Sequence, residues 1–272
     1  MYFDTHVHYF PDFLAPKAME NLIRTCSLQH YSDGTYQGIL KNLKKWDCIG
    51  AVALHIATNP HQQASVNSFA LETQTESLLC FGSVHPDAPD ALTELRRIRE
   101  KGLRGIKFHP DYQDFYVNDK KMFPIYEEIT SLGLPVAFHT GRDPYSPEDI
   151  HCTPQRLAEV ADTFPGMRII AAHMGGSYMP KESAEFLSGK KNVWFDTAVI
   201  SEFLTPASFE ELTSIVGIDR VFYATDCPWS SMPLITDIIE KTNFSSDEKK
   251  RIYYQNALEF FELETPAAGR LQ

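Results

Sequence analysis

Short apolar runs rich in β-branched residues alternate with longer amphipathic runs along the chain. The short runs predict strands over residues 2–8, 50–57, 78–85, 103–109, 134–140, 168–173, 192–197 and 220–226. Between them, apolar residues recur at helical spacing over 62–75, 90–101, 120–131, 154–163, 180–188 and 208–216. Asp90 and Thr153 stand where two of these helices would be capped, and Pro154 takes a first helical position, where its missing N–H costs nothing. Strands separated by helices pair in parallel with the helices outside. Eight such units without a hairpin predict an α/β fold, a (β/α)8 TIM barrel spanning 1–272 as a single domain. A doubly wound sheet is the competing architecture. It calls for a glycine-rich phosphate loop after the first strand, and His8-Tyr9-Phe10-Pro11 is nothing like one.

Two segments depart from the alternation. The link from strand one to strand two, residues 9–49, predicts two helices, over 15–25 and 36–46. In a barrel this link lies at the catalytic mouth, so it is a candidate lid. After strand eight, residues 246–263 predict a final helix, with Ile252, Tyr253, Leu258, Phe260 and Phe261 as the apolar residues that pack on the barrel wall.

Composition narrows the partners. The 272 residues are 43% hydrophobic and 22% charged, ordinary for a globular protein large enough to bury a core without staples. A net charge of −11 argues against nucleic acid and against an anionic membrane, since both demand cationic surface. A small-molecule substrate is the expected partner, and a homo-oligomer is left open. The five cysteines are odd in number and form no CxxC, which suits reduced thiols in a cytoplasmic protein. No basic and then apolar leader opens the chain, and no apolar run nears the roughly 20 residues that span a bilayer.

The placement of the ten histidines carries the chemistry. Asp4, His6 and His8 share one face of strand one, because residues two apart on a strand point the same way. Two imidazoles about 7 Å apart along a strand can both reach one metal ion. His55 lies near the end of strand two, and His85, His109, His139 and His173 fall at the ends of strands three to six. Strand eight ends in Asp226, while His30, His61 and His151 fall elsewhere. In a barrel the carboxyl ends of the strands meet at one rim, where active sites sit. Neutral imidazole with carboxylate is a donor set for zinc or a similar divalent ion.

Five motifs in order now carry a family likeness. They are Asp4-Thr5-His6-Val7-His8, Gly105-Ile106-Lys107-Phe108-His109-Pro110, Ala137-Phe138-His139-Thr140-Gly141, Ala172-His173-Met174-Gly175-Gly176 and Tyr223-Ala224-Thr225-Asp226-Cys227-Pro228. They resemble the successive motifs of the amidohydrolase superfamily, nearest its amidohydrolase-related branch, which includes aminocarboxymuconate-semialdehyde decarboxylase. Asn256-Ala257 resembles that branch's closing signature. The likeness covers essentially the whole chain. It is specific for superfamily and fold and poorly specific for reaction.

The resemblance implies that His6, His8, His139 and Asp226 hold a divalent metal, and the residues alone single out the same set. Zinc stands first, with manganese, iron and cobalt suiting the same donors. In hydrolytic members Asp226 would also take a proton from metal-bound water, whose pKa the metal lowers towards ~7. His173 resembles the strand-six histidine that polarises substrate or acts as acid-base, and it could instead bind a second metal. Lys107 shares a face of strand four with His109, and a buried lysine needs a reason. The superfamily offers one: a carboxylated lysine bridging two metals, here Lys107 with His139 and His173. The other reading makes Lys107 and His109 substrate-binding. Arg142, on the loop leaving strand five, either clamps a substrate carboxylate or is a solvated loop residue. His55 and His85 would orient ligands or line the pocket, with His85 alternatively starting a helix. Asp4 would bond a ligand histidine or nearby backbone, and Trp229 and Tyr112 would stack on a ring or simply pack.

Three functions compete. A metal-dependent hydrolase of an amide, lactone or other ester is the first expectation. His6 favours it, because some decarboxylases of the branch carry glutamate there, and so does the short chain. The alternative is a non-oxidative decarboxylase of an unsaturated or aromatic acid. A non-catalytic barrel that binds a metal or metabolite is the third, and the full set of rim residues argues against it.

Overall fold

The computed structural model describes residues 1–264. Its strands are β1 (Tyr2–Val7), β2 (Cys48–Leu54), β3 (Leu78–Gly82), β4 (Gly105–Phe108), β5 (Val136–Phe138), β6 (Ile169–Ala171), β7 (Val193–Asp196) and β8 (Val221–Phe222). They form one eight-stranded sheet in the order β1 to β8. Every pairing described is parallel, as in Ile106↔Val136 of β4 with β5 and Val136↔Ile169 of β5 with β6. Val7 bridges Cys227 in parallel, and the Thr5 and His8 amides donate to the Tyr223 and Cys227 carbonyls at 2.9 and 2.7 Å. The segment carrying β8 is thus bonded back to β1, which is the (β/α)8 barrel order. Its strands are nearly all buried along their length, which is why they read as continuous apolar runs rather than alternating ones.

The strands are shorter at their carboxyl ends than the sequence predicts. His8, His109, His139, His173 and Asp226 stand just past the ladder, in the turns that leave it. For His173 and Asp226 the reason is backbone geometry. His173, Met174 and Asp226 take φ of 58°, 52° and 68°, a left-handed conformation that ends an extended run and is uncommon outside glycine.

The helices are α1 (Ala15–Cys26), α2 (Tyr36–Lys45), α3 (Gln63–Thr73), α4 (Ala91–Lys101), α5 (Phe123–Ser131), α6 (Pro154–Thr163), α7 (Pro180–Leu187), α8 (Pro206–Val216), α9 (Met232–Glu240), α10 (Ser246–Lys250) and α11 (Asn256–Phe261). Thr153 caps α6 as expected, accepting from the Arg156 amide. Asp90 does not cap α4 with its side chain, because its carboxylate accepts from Gln63 Nε2 at 2.7 Å instead. α9, which opens with Met232-Pro233 after Ser230-Ser231, is not among the helices predicted from the pattern. A π-turn over Arg251–Gln255 joins α10 to α11. Phe260 and Phe261 pack on Phe222, and Tyr253 packs on Tyr2 and Tyr223. Asn256 donates to the carbonyls of Ile218 and Val221, both at 2.8 Å, which ties the final helix to the start of β8.

The chain groups into two compact units. One comprises Met1–Ala53, Glu76–Leu78 and the chain from Phe195, and the other comprises Leu54–Thr75 and Leu79–Trp194. In the first, the insertion after β1 is anchored rather than free. Phe10 donates to Gly34, Tyr31 to Pro228 at 2.7 Å, and Asn42 Nδ2 to the Tyr31 carbonyl. Among the described residues no helix is long and apolar enough to cross a membrane.

Candidate metal centre and rim residues

Three predicted ligands converge in the first unit. His6 Nε2 lies 3.0 Å from His8 Nε2 and 3.4 Å from Asp226 Oδ1, and His8 Nε2 lies 3.2 Å from the same oxygen. The two rings stand at 74°, so their planes cross and one ion can lie in the plane of both. His6 is buried, His8 half-buried and Asp226 buried. The position of Asp226 depends on Asp4. The Asp4 carboxylate, fully buried, accepts from the His6 amide at 3.2 Å, the Thr225 amide at 3.0 Å and Thr225 Oγ1 at 2.6 Å. It therefore bonds backbone on both ligand-bearing segments and fixes their register. Burial pushes the Asp4 carboxyl up to about 7, against the pull of those hydrogen bonds.

This donor set fits a divalent ion. Donors bonded at about 2.0–2.2 Å to one ion lie roughly 3.0–3.5 Å apart, and the three separations fall in that range. Three electron-pair donors packed this closely repel one another unless a cation or a shared proton lies among them.

The second unit holds His109, His139, His173, Lys107 and Arg142. His139 Nδ1 is 3.0 Å from His173 Nε2. His139 Nε2 is buried without a hydrogen-bond partner, and it lies 3.6 Å from Asp143 Oδ2. His109 Nε2 lies 3.4 Å from that oxygen. This second group of two histidines and an aspartate is not built as a chelate. The His109 and His139 rings are stacked, 4.2 Å between centroids and 12° between planes. An ion must lie near the plane of each ring to use its lone pair, and two nearly parallel planes share no such point. Burial holds His139 well below the usual imidazole value, helped by His109, His173 and Lys107 and opposed by Asp143. A neutral imidazole is the form that can ligate.

The other sequence candidates are placed as follows. Lys107 is buried, with its carbonyl accepting from Ser83 Oγ at 2.9 Å. Arg142 is exposed, and its amide donates to Ser177. Tyr112 stacks on His109 at 3.7 Å and 6°, so a protein ring already occupies that face. His55 sets its ring edge against Phe69. His85 accepts at Nδ1 from the Asp87 amide, which makes it a turn residue ahead of α4. Trp229 is half-buried, with its amide bonded to the Asp226 carbonyl. Sequence reading passed over three carboxylates. Asp196 lies 2.8 Å from His6 Nδ1, and its place at the end of β7 was the available signal. Asp111 and Asp143 sit beside His109 in loops, and no spacing marks them.

Comparison with known proteins places these residues in context. An amidohydrolase family model matches residues 50–263. The chain is 24% identical over 221 residues to a gamma-resorcylate decarboxylase from Polaromonas sp., and 27% identical over 217 residues to a 2-amino-3-carboxymuconate-6-semialdehyde decarboxylase from Dictyostelium discoideum. Each match covers 64% of this chain, and the chain spans less than two thirds of those relatives, 66% and 58% of their lengths. The fold is similar to that of a dihydroxybenzoic acid decarboxylase from Polaromonas sp., solved with manganese and the inhibitor 2-nitroresorcinol. There the TM-score is 0.71 at 16% identity, over 97% of this chain and 98% of the other.

Proposed function

The chain belongs to the amidohydrolase family, and from that premise we propose that it is a metal-dependent, non-oxidative decarboxylase of an aromatic or unsaturated carboxylic acid. This corrects the hydrolase expected from sequence. The similar proteins described above are decarboxylases, and neither argument for hydrolysis bears on the bond that breaks. Imidazole at position 6 and the glutamate of some relatives are both donors to an ion. A short chain changes loops, not the donor set.

The observation that supports metal dependence is the convergence of His6 Nε2, His8 Nε2 and Asp226 Oδ1 within 3.0–3.4 Å, while the choice of decarboxylation rests on the decarboxylase relatives. These residues would hold one divalent ion, and the membership of His139 rests on the sequence resemblance. Manganese, the ion of the dihydroxybenzoic acid decarboxylase neighbour, takes first place over zinc. Once bound, the ion supplies a Lewis acid for substrate oxygens.

The remaining roles fall to the chain. Decarboxylation adds a proton to the carbon that bears the carboxylate. The bond to the carboxyl carbon then breaks, its electron pair returns to the unsaturated system, and carbon dioxide leaves. Asp226 and His173 are the groups we assign to proton delivery and acid-base work. Lys107, His109 and Arg142 are those we assign to the substrate's carboxylate and oxygen substituents, as cationic or donor groups. The buried setting of His173 and Lys107 strengthens such interactions.

The test is to load the protein with manganese and supply dihydroxybenzoates, carboxymuconate-type acids, lactones and amides in 18O-labelled water. Carbon dioxide release without label in the organic product is expected. Labelled hydrolysis product without carbon dioxide would overturn the proposal.

A further inference from the structure

We infer that Asp196 is a positioning residue for the metal centre, setting which nitrogen of His6 is available to an ion. The inference rests on the metal-centre reading above. His6 Nδ1 and Asp196 Oδ2 are 2.8 Å apart, and both side chains are 1% exposed. An ionised carboxylate can only accept, so His6 donates from Nδ1–H. A neutral imidazole carries one proton. With Nδ1 protonated, Nε2 holds the lone pair, and Nε2 is the atom 3.0 Å from His8 Nε2 and 3.4 Å from Asp226 Oδ1. The other tautomer would set an unprotonated Nδ1 against the carboxylate and remove the lone pair from the cluster.

Asp196 is itself held in place. Its Oδ1 accepts from the Ala198 amide at 3.1 Å, which leaves Oδ2 aimed at His6. It pairs with Phe222 of β8. The next residue, Thr197, donates its amide to Phe222 and exchanges two bonds with Ala224 through Oγ1, at 3.0 and 2.8 Å. The strand that presents the carboxylate is thus bonded to the segment that presents Asp226, two residues on from Ala224. Ring plane and tautomer of His6 are fixed before any ion arrives. A carboxylate on the far nitrogen also raises the basicity of the ligating one.

Two measurements test this. The first is the tautomer of His6 in metal-free wild-type protein, read from 15N chemical shifts of 15N-histidine-labelled samples with His6→Gln as the assignment control. Protonated Nδ1 is expected, and a proton on Nε2 would overturn the inference. The second is Mn2+ affinity by chelator competition for wild type, Asp196→Asn and Asp196→Ala, with circular dichroism as the folding control. Asp196→Ala should lose about 10- to 100-fold in affinity, and Asp196→Asn, which keeps an acceptor without the charge, should fall between. Folded variants that bind within about threefold of wild type would overturn the role of Asp196 alone. A wild-type protein that binds no divalent ion would overturn the metal-centre reading with it. If Asp196→Ala does not fold, the tautomer measurement still decides.

Discussion

Two clusters of the same composition, two histidines and an aspartate each, differ in what they can do. At His6, His8 and Asp226 the rings are tilted at 74° and the nitrogens approach to 3.0 Å. At His109, His139 and Asp143 the rings are stacked at 12°, and the nitrogens reach the carboxylate at 3.4 and 3.6 Å from parallel planes. In the first arrangement the ring planes cross, so one ion can lie in both, and in the second the planes are nearly parallel. Residue types and short distances alone would have equated the two. Ring orientation separates a chelate from a packed imidazole–carboxylate group.

The sharpest test of that contrast acts on the shared carboxylate of the first cluster. Asp226→Asn should lower carbon dioxide release by about a thousandfold or more while the circular dichroism spectrum stays that of wild type. Near-normal turnover would remove Asp226 from the chemistry. Next, His8→Ala should weaken Mn2+ binding by at least about 100-fold, whereas His109→Ala should leave it within about threefold. Equal losses in the two variants would erase the distinction between the clusters. Tyr112→Ala removes the ring stacked on His109 and should cost about 1 kcal/mol in urea unfolding, with Mn2+ affinity unchanged.

The smallest effect concerns pH. Burial holds the Asp111 carboxyl above its ordinary value, partly offset by the bond from Ser146 Oγ. The folded state therefore favours the neutral form. The stability this group contributes is fully present below the ordinary carboxylate range and is lost as pH rises through its raised folded-state value. Asp111→Asn stays neutral and can still accept from Ser146. It should match wild type at the acid end of the stable range and exceed it at about pH 8 by no more than about 3 °C in Tm. A variant less stable than wild type at about pH 8 would contradict this sign.

The fold was legible because strand-helix alternation repeats eight times and each strand is apolar enough to stand out. The rim was legible because histidines cluster where strands stop. What stayed hidden was orientation and second partners. Nothing in the spacing of His109 and His139 announces that their rings stack, since that depends on the register of β4 with β5 and on Tyr112 closing over His109. Asp196 looks like any strand-end aspartate until it meets a residue 190 positions away. Asp90 looks like a cap and is taken by Gln63 instead. The reaction was misread for a different reason: one donor set serves hydrolysis and decarboxylation alike, so the motifs could not choose between them.

The Asp4 clamp has a consequence for how the protein is made. Its partner Thr225 lies 221 residues downstream, and the unit around it draws on both the start and the later part of the chain. The other unit is drawn from Leu54–Thr75 and Leu79–Trp194. On a ribosome, that middle stretch can begin to organise while His6 and His8 still wait for Asp226 to emerge. Long-range closures of this kind are among the contacts that slow folding in general. The trio of His6, His8 and Asp226 can therefore come together only after residue 226 has left the tunnel.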